Sequence, residues 1–201
     1  MEMNSQQKRQ RILLEIRDFL AGAAFPFMLQ LVLSASIILF ADAQGETAIQ
    51  AFALAVGEIM LLAAYVIFGR QNGISAYRKT IVGSKKRDMG TSDVRAYYKT
   101  GEYAVWKGVV IGVLSVIPFM LFQLIQCIAA NSFCEFILKY AFGWATYPFM
   151  VFGVEIGWLN FIWIVIPVGV HTAAYFWGGL KEKKRQALLE KAQDIKGKKN
   201  K

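Results

Sequence analysis

The chain has 201 residues, 56% of them apolar and 14% aromatic, and carries a formal net charge of +9. Soluble globular domains hold roughly 45 to 50% apolar residues, so the composition points to an integral membrane protein and leaves no length for a separate soluble domain. The positive charge does not read as a nucleic-acid footprint, because no aromatic-plus-basic recognition module accompanies it.

The placement of that charge is more informative than its sum. All but Lys139 of the 23 Lys and Arg residues fall within residues 1–18, 70–107 and 181–201. Cytoplasmic flanks of membrane spans retain positive charge and translocated loops avoid it, so the three blocks are expected inside. Residues 1–18 read as an interfacial helix, with Ile12, Leu13, Ile16, Phe19 and Leu20 on one face and Lys8, Arg9, Arg11, Glu15 and Asp18 around the rest. A first hairpin follows over residues 19–69. Its spans run from about Phe19 to Ala41 and from about Ala48 to Gly69, each near the roughly 20 residues that cross a hydrocarbon core. Ala41-Asp42-Ala43 imitates a signal-peptidase site, but the apolar run before it is longer than a signal peptide's, so the span is expected to stay uncleaved.

Residues 70–107 form a basic cytoplasmic loop. Within it, 83–90 reads as a mobile stretch, and a second amphipathic helix is expected from Ser92, with Asp93 at its start and Val94, Tyr97 and Tyr98 toward lipid. A second hairpin covers 108–180, with a third span from about Val109 to Ala130 and a fourth from about Trp158 to Gly178. Residues 136–157 between them are apolar enough to cross as well, which would give five spans. Five spans would place the basic tail, 181–201, outside. The charge pattern therefore favours four spans with both termini cytoplasmic and an outer segment, 136–157, that lies in the interface or re-enters, a reading that Trp144 suits as an interfacial residue. Thr146-Tyr147-Pro148 is a candidate break in that segment. The fold class is thus an all-α four-span helical bundle.

Two short matches suggest a parallel two-hairpin repeat. Pro26-Phe27-Met28-Leu29 parallels Pro118-Phe119-Met120-Leu121, and Ala63-Ala64-Tyr65 parallels Ala173-Ala174-Tyr175. Chance similarity in a chain rich in Phe, Leu and Ala competes with duplication.

Glu58 lies near the middle of the second span, where an ionised carboxylate is costly without a partner. His171 in the fourth span and Gln30 in the first fall at similar depth when residues are counted along each span. The three form a candidate midplane polar site, which would pass protons or bind a cation if the helices pack side by side. The plainer reading gives Glu58 and His171 a packing role only, as polar groups that hold helices together. Pro26, Pro118 and Pro167 fall in three spans, and Gly108 with Gly112 and Ala53 with Gly57 have the small-xxx-small spacing of close helix contacts.

Cys127 and Cys134 flank the outer end of the third span, and a disulfide is expected between them. Two Cys and one distant His fall short of a zinc ligand set, so no metal and no cofactor is expected. No phosphate-cradling glycine loop and no HExxH motif is present, which leaves an intramembrane enzyme as the weakest functional reading. The leading one is a transporter-like or accessory membrane subunit. A structural or partner-binding membrane protein is its rival. Expected partners are the bilayer, its anionic headgroups near the basic blocks, and a second copy or another membrane protein. The expected location is a bacterial cytoplasmic membrane, with the endoplasmic reticulum second; Lys198-Lys199-Asn200-Lys201 imitates a dilysine retrieval signal, but in a lysine-rich tail that match carries little weight.

Overall fold

The computed structural model describes residues 5–44, 47–90, 93–146 and 157–199, and every regular element among them is helical. Helix α1 spans Ser5–Gln44, α2 Thr47–Asp88, α3 Val94–Tyr97, α4 Val105–Ala129 and α5 Ser132–Ala141. A 3-10 helix, Trp158–Ile164, then leads directly into α6, Val165–Lys199. Four stretches are long and apolar enough to cross a membrane: Ser5–Phe40, Ala48–Asp88, Val105–Ala129 and Trp158–Gln193.

Three of these helices are longer than a bilayer needs. The 42 residues of α2 extend about 63 Å at 1.5 Å per residue, against a hydrocarbon core of about 30 Å. The sequence expected a mobile stretch over 83–90; α2 instead continues through it to Asp88, and the chain turns only at Gly90, whose φ of 69° favours glycine. The amphipathic helix expected from Ser92 shrinks to the single turn α3. Tyr97 is exposed as anticipated, but Tyr98 is buried, because the loop folds back on α2 rather than onto lipid. The interfacial helix and first span merge into one uninterrupted α1. Pro26 and Pro118 also leave α1 and α4 continuous, and Pro167 sits in the first turn of α6, where its missing N–H costs little.

Glycines set how the helices meet. The most extensive pairing joins α2 to α6. A Cβ built on Gly69 would lie 2.6 Å from the backbone oxygen of His171. Cβ atoms on Gly73 and Gly178 would collide with the backbone oxygens of Tyr175 and Arg70. The two backbones are therefore in direct contact, which only residues without side chains permit. Gly108 and Gly112 serve α4 in the same way, against the ring of Tyr175 and the backbone of Val168. All of this close packing is within one chain.

The apolar core lies toward the end of the bundle away from the basic blocks. Phe119, Phe142, Leu138, Val116, Leu61 and Tyr65 form it, joined by Trp144, which is only 6% exposed and packs 5.4 Å from the Phe119 ring. Trp144, expected at the interface, thus packs into the bundle core. The described part of the outer segment, α5 and a helical turn at 143–146, packs on α1 and α4; residues 147–156, with the candidate break at Tyr147-Pro148, lie outside the described residues.

Ion pairs hold the opposite, basic end. Glu15 takes Lys107 at 3.1 Å, joining α1 to α4, and Arg78 takes Glu182 at 2.9 Å, joining α2 to α6. Asp18 is shared between Arg95 at 3.4 Å and Lys79 at 3.8 Å. Arg87 and Glu102 close the loop onto α2. The turn into α4 passes through Gly101 at φ 71°, which lets the loop approach Asp18.

Candidate functional site

The three residues expected to form one midplane site occupy three separate places. Glu58 is half-buried on α2. It borders a small void of about 10 Å³ with Ser34, Leu54, Gly57 and Trp144, room for about one water. Gln30 is fully buried on α1, one helical turn from Ser34, and neither of its amide atoms has a hydrogen-bond partner among the described residues. His171 is fully buried on α6 at another level of the bundle. Its ring meets Tyr65 edge-on at 6.3 Å and its Nε2 lies 3.4 Å from Asn72 Nδ2. Tyr65 and Asn72 follow Glu58 by seven and fourteen residues on α2, which is about 10 to 21 Å along the axis. Glu58 and His171 therefore do not form a pair.

What surrounds His171 is better organised than the pair expected. Nδ1 lies 3.1 Å from the Gly108 carbonyl oxygen, which can only accept, so Nδ1 carries the proton and donates. Asn72 Nδ2 can only donate, so Nε2 accepts. The same amide nitrogen lies 3.3 Å from the Gly22 carbonyl and donates there too. Gly22 belongs to α1, Asn72 to α2, Gly108 to α4 and His171 to α6. One polar node thus ties all four long helices, and its partners fix a neutral imidazole in the Nδ1–H tautomer. If His171 were protonated, Nε2 would also have to donate, and the Asn72 amide would have to rotate to offer its oxygen.

A cavity of about 200 Å³ leads to this node from the basic end. Asn72 and Gly22 line it together with Glu15, Asp18, Lys79 and Lys107. Its volume admits several waters and its polar lining would hold them. Beyond the node, Tyr65 Oη and Ser115 Oγ lie 3.1 Å apart, and Ser115 donates to the Gly112 carbonyl at 2.7 Å. Farther along α4, Gln123 Nε2 donates to the Gly157 carbonyl at 3.0 Å and its oxygen accepts from Asn160 at 3.4 Å, which fastens the 3-10 helix.

The sequence reading missed Asn72, Tyr65 and Ser115. For Tyr65 and Asn72 the signal was present in the stripe Glu58, Leu61, Tyr65, Gly69, Asn72 and Ala76, which recurs every three or four residues along one face. Ending the second span at Gly69 hid it.

The expected disulfide is absent. Cys127 and Cys134 are both free thiols. Cys127 lies 3.5 Å from Gln123 Nε2 in the last turns of α4. Cys134 is buried in the first turn of α5, where the Asn131 side chain accepts from its backbone N–H. The Asn131 cap starts a new helix between the two sulfurs and turns Cys134 into the packed side of α5. Among the described residues, no three His, Cys, Asp or Glu side chains gather as metal ligands. Comparison with protein-family models, curated proteins and solved structures finds no match to this chain.

Proposed function

We propose that the chain is a four-span, transporter-like membrane protein whose polar interior admits protons or a small polar solute from the basic end. The observation that carries this is the cavity of about 200 Å³ that ends on Asn72 and Gly22, directly in front of His171. Water reaching that far into a bundle gives a proton or solute a polar stopping point, with a titratable ring behind a rotatable amide. Beyond the node, Tyr65 with Ser115, then Gln30, then Ser34 with Glu58 are polar groups spaced along the bundle. They offer steps toward the far end.

On this reading the basic end faces the cytoplasm, since 22 of the 23 basic residues lie in blocks at that end. A bacterial cytoplasmic membrane is the proposed location.

The test is reconstitution of the full chain into liposomes that enclose a pH-sensitive dye, with an imposed pH step. Wild-type protein should dissipate the step faster than empty liposomes, and Asn72→Leu and His171→Phe should slow it while folding normally by circular dichroism. Flux in wild type equal to that of empty liposomes, or unchanged in both variants, refutes the proposal for protons. The same liposomes loaded with small cations or polar solutes extend the test.

One observation favours the rival, structural reading. Both ring nitrogens of His171 already have hydrogen-bond partners, as expected of interhelical glue. Under that reading the two substitutions lower stability, and no flux exists to lose.

A further inference from the structure

A second, larger cavity lies beside the basic end and takes no part in the node. It is a groove of about 530 Å³ between the extended part of α2 and the loop around α3. On α2 its lining recurs every three or four residues, from Gln71 through Ile74, Arg78, Val82 and Lys86. Arg95, Ala96, Asp93 and Glu102 face it from the loop. The floor is apolar and the walls are charged, a combination that suits an amphipathic anion.

The charges are unevenly matched. Asp93 is spent on Lys86 at 2.6 Å and caps α3, and Glu102 is spent on Arg87. Asp18 alone serves both Arg95 and Lys79, at 3.4 and 3.8 Å. Charge-assisted hydrogen bonds close to about 2.7 to 2.9 Å when unhindered, so one carboxylate is stretched between two cations and fully serves neither. Arg78 commits only Nε and Nη2 to Glu182 and is otherwise half-exposed. A phosphate, with several acceptor oxygens, would satisfy the donors these three cations leave over.

The groove's height agrees with this. It begins one residue past Arg70, whose guanidinium lies 4.9 Å over the exposed ring of Trp177, while Lys107 lies 5.7 Å from the Trp106 ring. Exposed tryptophans under cations mark the headgroup level of a bilayer. We propose that the groove is a specific binding site for one phosphate group, held by Arg78, Lys79 and Arg95, with the apolar part of the same molecule on Ile74 and Val82. The phosphate comes from an anionic phospholipid headgroup or from a soluble phosphate ester.

Two arms separate the sources. Detergent-purified full-length protein is titrated with inorganic phosphate and with glycerol 3-phosphate by calorimetry. The same protein in phosphatidylcholine nanodiscs, with and without phosphatidic acid, is analysed for retained lipid by native mass spectrometry. Saturable one-to-one binding in either arm supports the site and identifies its source. Lys79→Gln with Arg95→Gln should weaken that binding by about tenfold or more per cation removed. Lys85→Gln with Lys183→Gln, the same charge loss outside the groove, should leave it unchanged. Val82→Trp keeps every charge but fills the groove, and should abolish binding in protein that still folds by circular dichroism. No saturable binding in either arm, equal loss in the two double variants, or full binding by Val82→Trp would each overturn the proposal.

Discussion

Replacing Gly69 by alanine sets two effects against each other. Alanine is the better helix former, worth about 0.5 to 1 kcal/mol over glycine in a helix interior. Against that, the new Cβ would lie 2.6 Å from the His171 backbone oxygen and 2.9 Å from the Ala174 Cβ. A carbon meets a carbonyl oxygen comfortably at about 3.3 Å or more, so α6 must retreat by about 0.7 Å. The atom pushed belongs to His171, whose Nε2 already lies 3.4 Å from Asn72 Nδ2. Retreat would stretch that contact past hydrogen-bonding range. Overpacking costs about 1 to 3 kcal/mol and the lost hydrogen bond about 1 more. The clash outweighs the propensity gain, and Gly69→Ala should destabilise by about 1 to 3 kcal/mol. Gly169→Ala is the control. It lies on α6 with nothing within 4 Å of its Cβ and should be neutral or slightly stabilising. The assay is thermal or denaturant unfolding of both variants in one detergent, followed by circular dichroism. Equal stability of the two would refute the claim that α2 and α6 meet backbone to backbone at Gly69.

Glu182 is held below the ordinary glutamate range, chiefly by its hydrogen bonds from Arg78. A lowered carboxyl pKa stabilises the fold above the ordinary value near 4.5, and that contribution is lost as pH falls below it. Melting temperature should therefore drop on acidification below that value in wild type, and drop less in Arg78→Gln; parallel curves would contradict this. Gln30 and Gln123 are both fully buried, but of the two only Gln123 has hydrogen-bond partners among the described residues. Gln123→Leu, which orphans the Gly157 carbonyl and the Asn160 amide, should cost about 1 to 3 kcal/mol, whereas Gln30→Leu should be neutral or stabilising. Denaturant melts of the two variants compare them directly, and a larger loss at Gln30 would show that its amide has a partner.

The class of the molecule was legible because membrane burial writes itself as long apolar runs and segregated charge. The candidate residues were legible one by one, since a Glu or His within an apolar run stands out. Their grouping was not. Counting residues along each span assumed that neighbouring helices start level, whereas the register of α2 against α6 is set by where Gly69, Gly73 and Gly178 let the backbones touch. That register places His171 beside Asn72 and away from Glu58. Trp144 misled for a related reason. Interfacial preference is an average tendency, and here Trp144 packs into the aromatic cluster around Phe119 and Phe142.

The glycine seam between α2 and α6 also orders the assembly of the molecule. Gly69 meets His171, and Arg70 meets Gly178, across more than a hundred residues of chain. The α1–α2 hairpin therefore emerges during synthesis with a bare backbone ridge, and with an Asn72 amide anchored only to Gly22, until the last helix arrives. Its lipid exposure is brief in the complete chain and permanent in one truncated before α6. Truncated chains should accordingly be recognised by membrane quality control as unassembled, although their first two helices can insert.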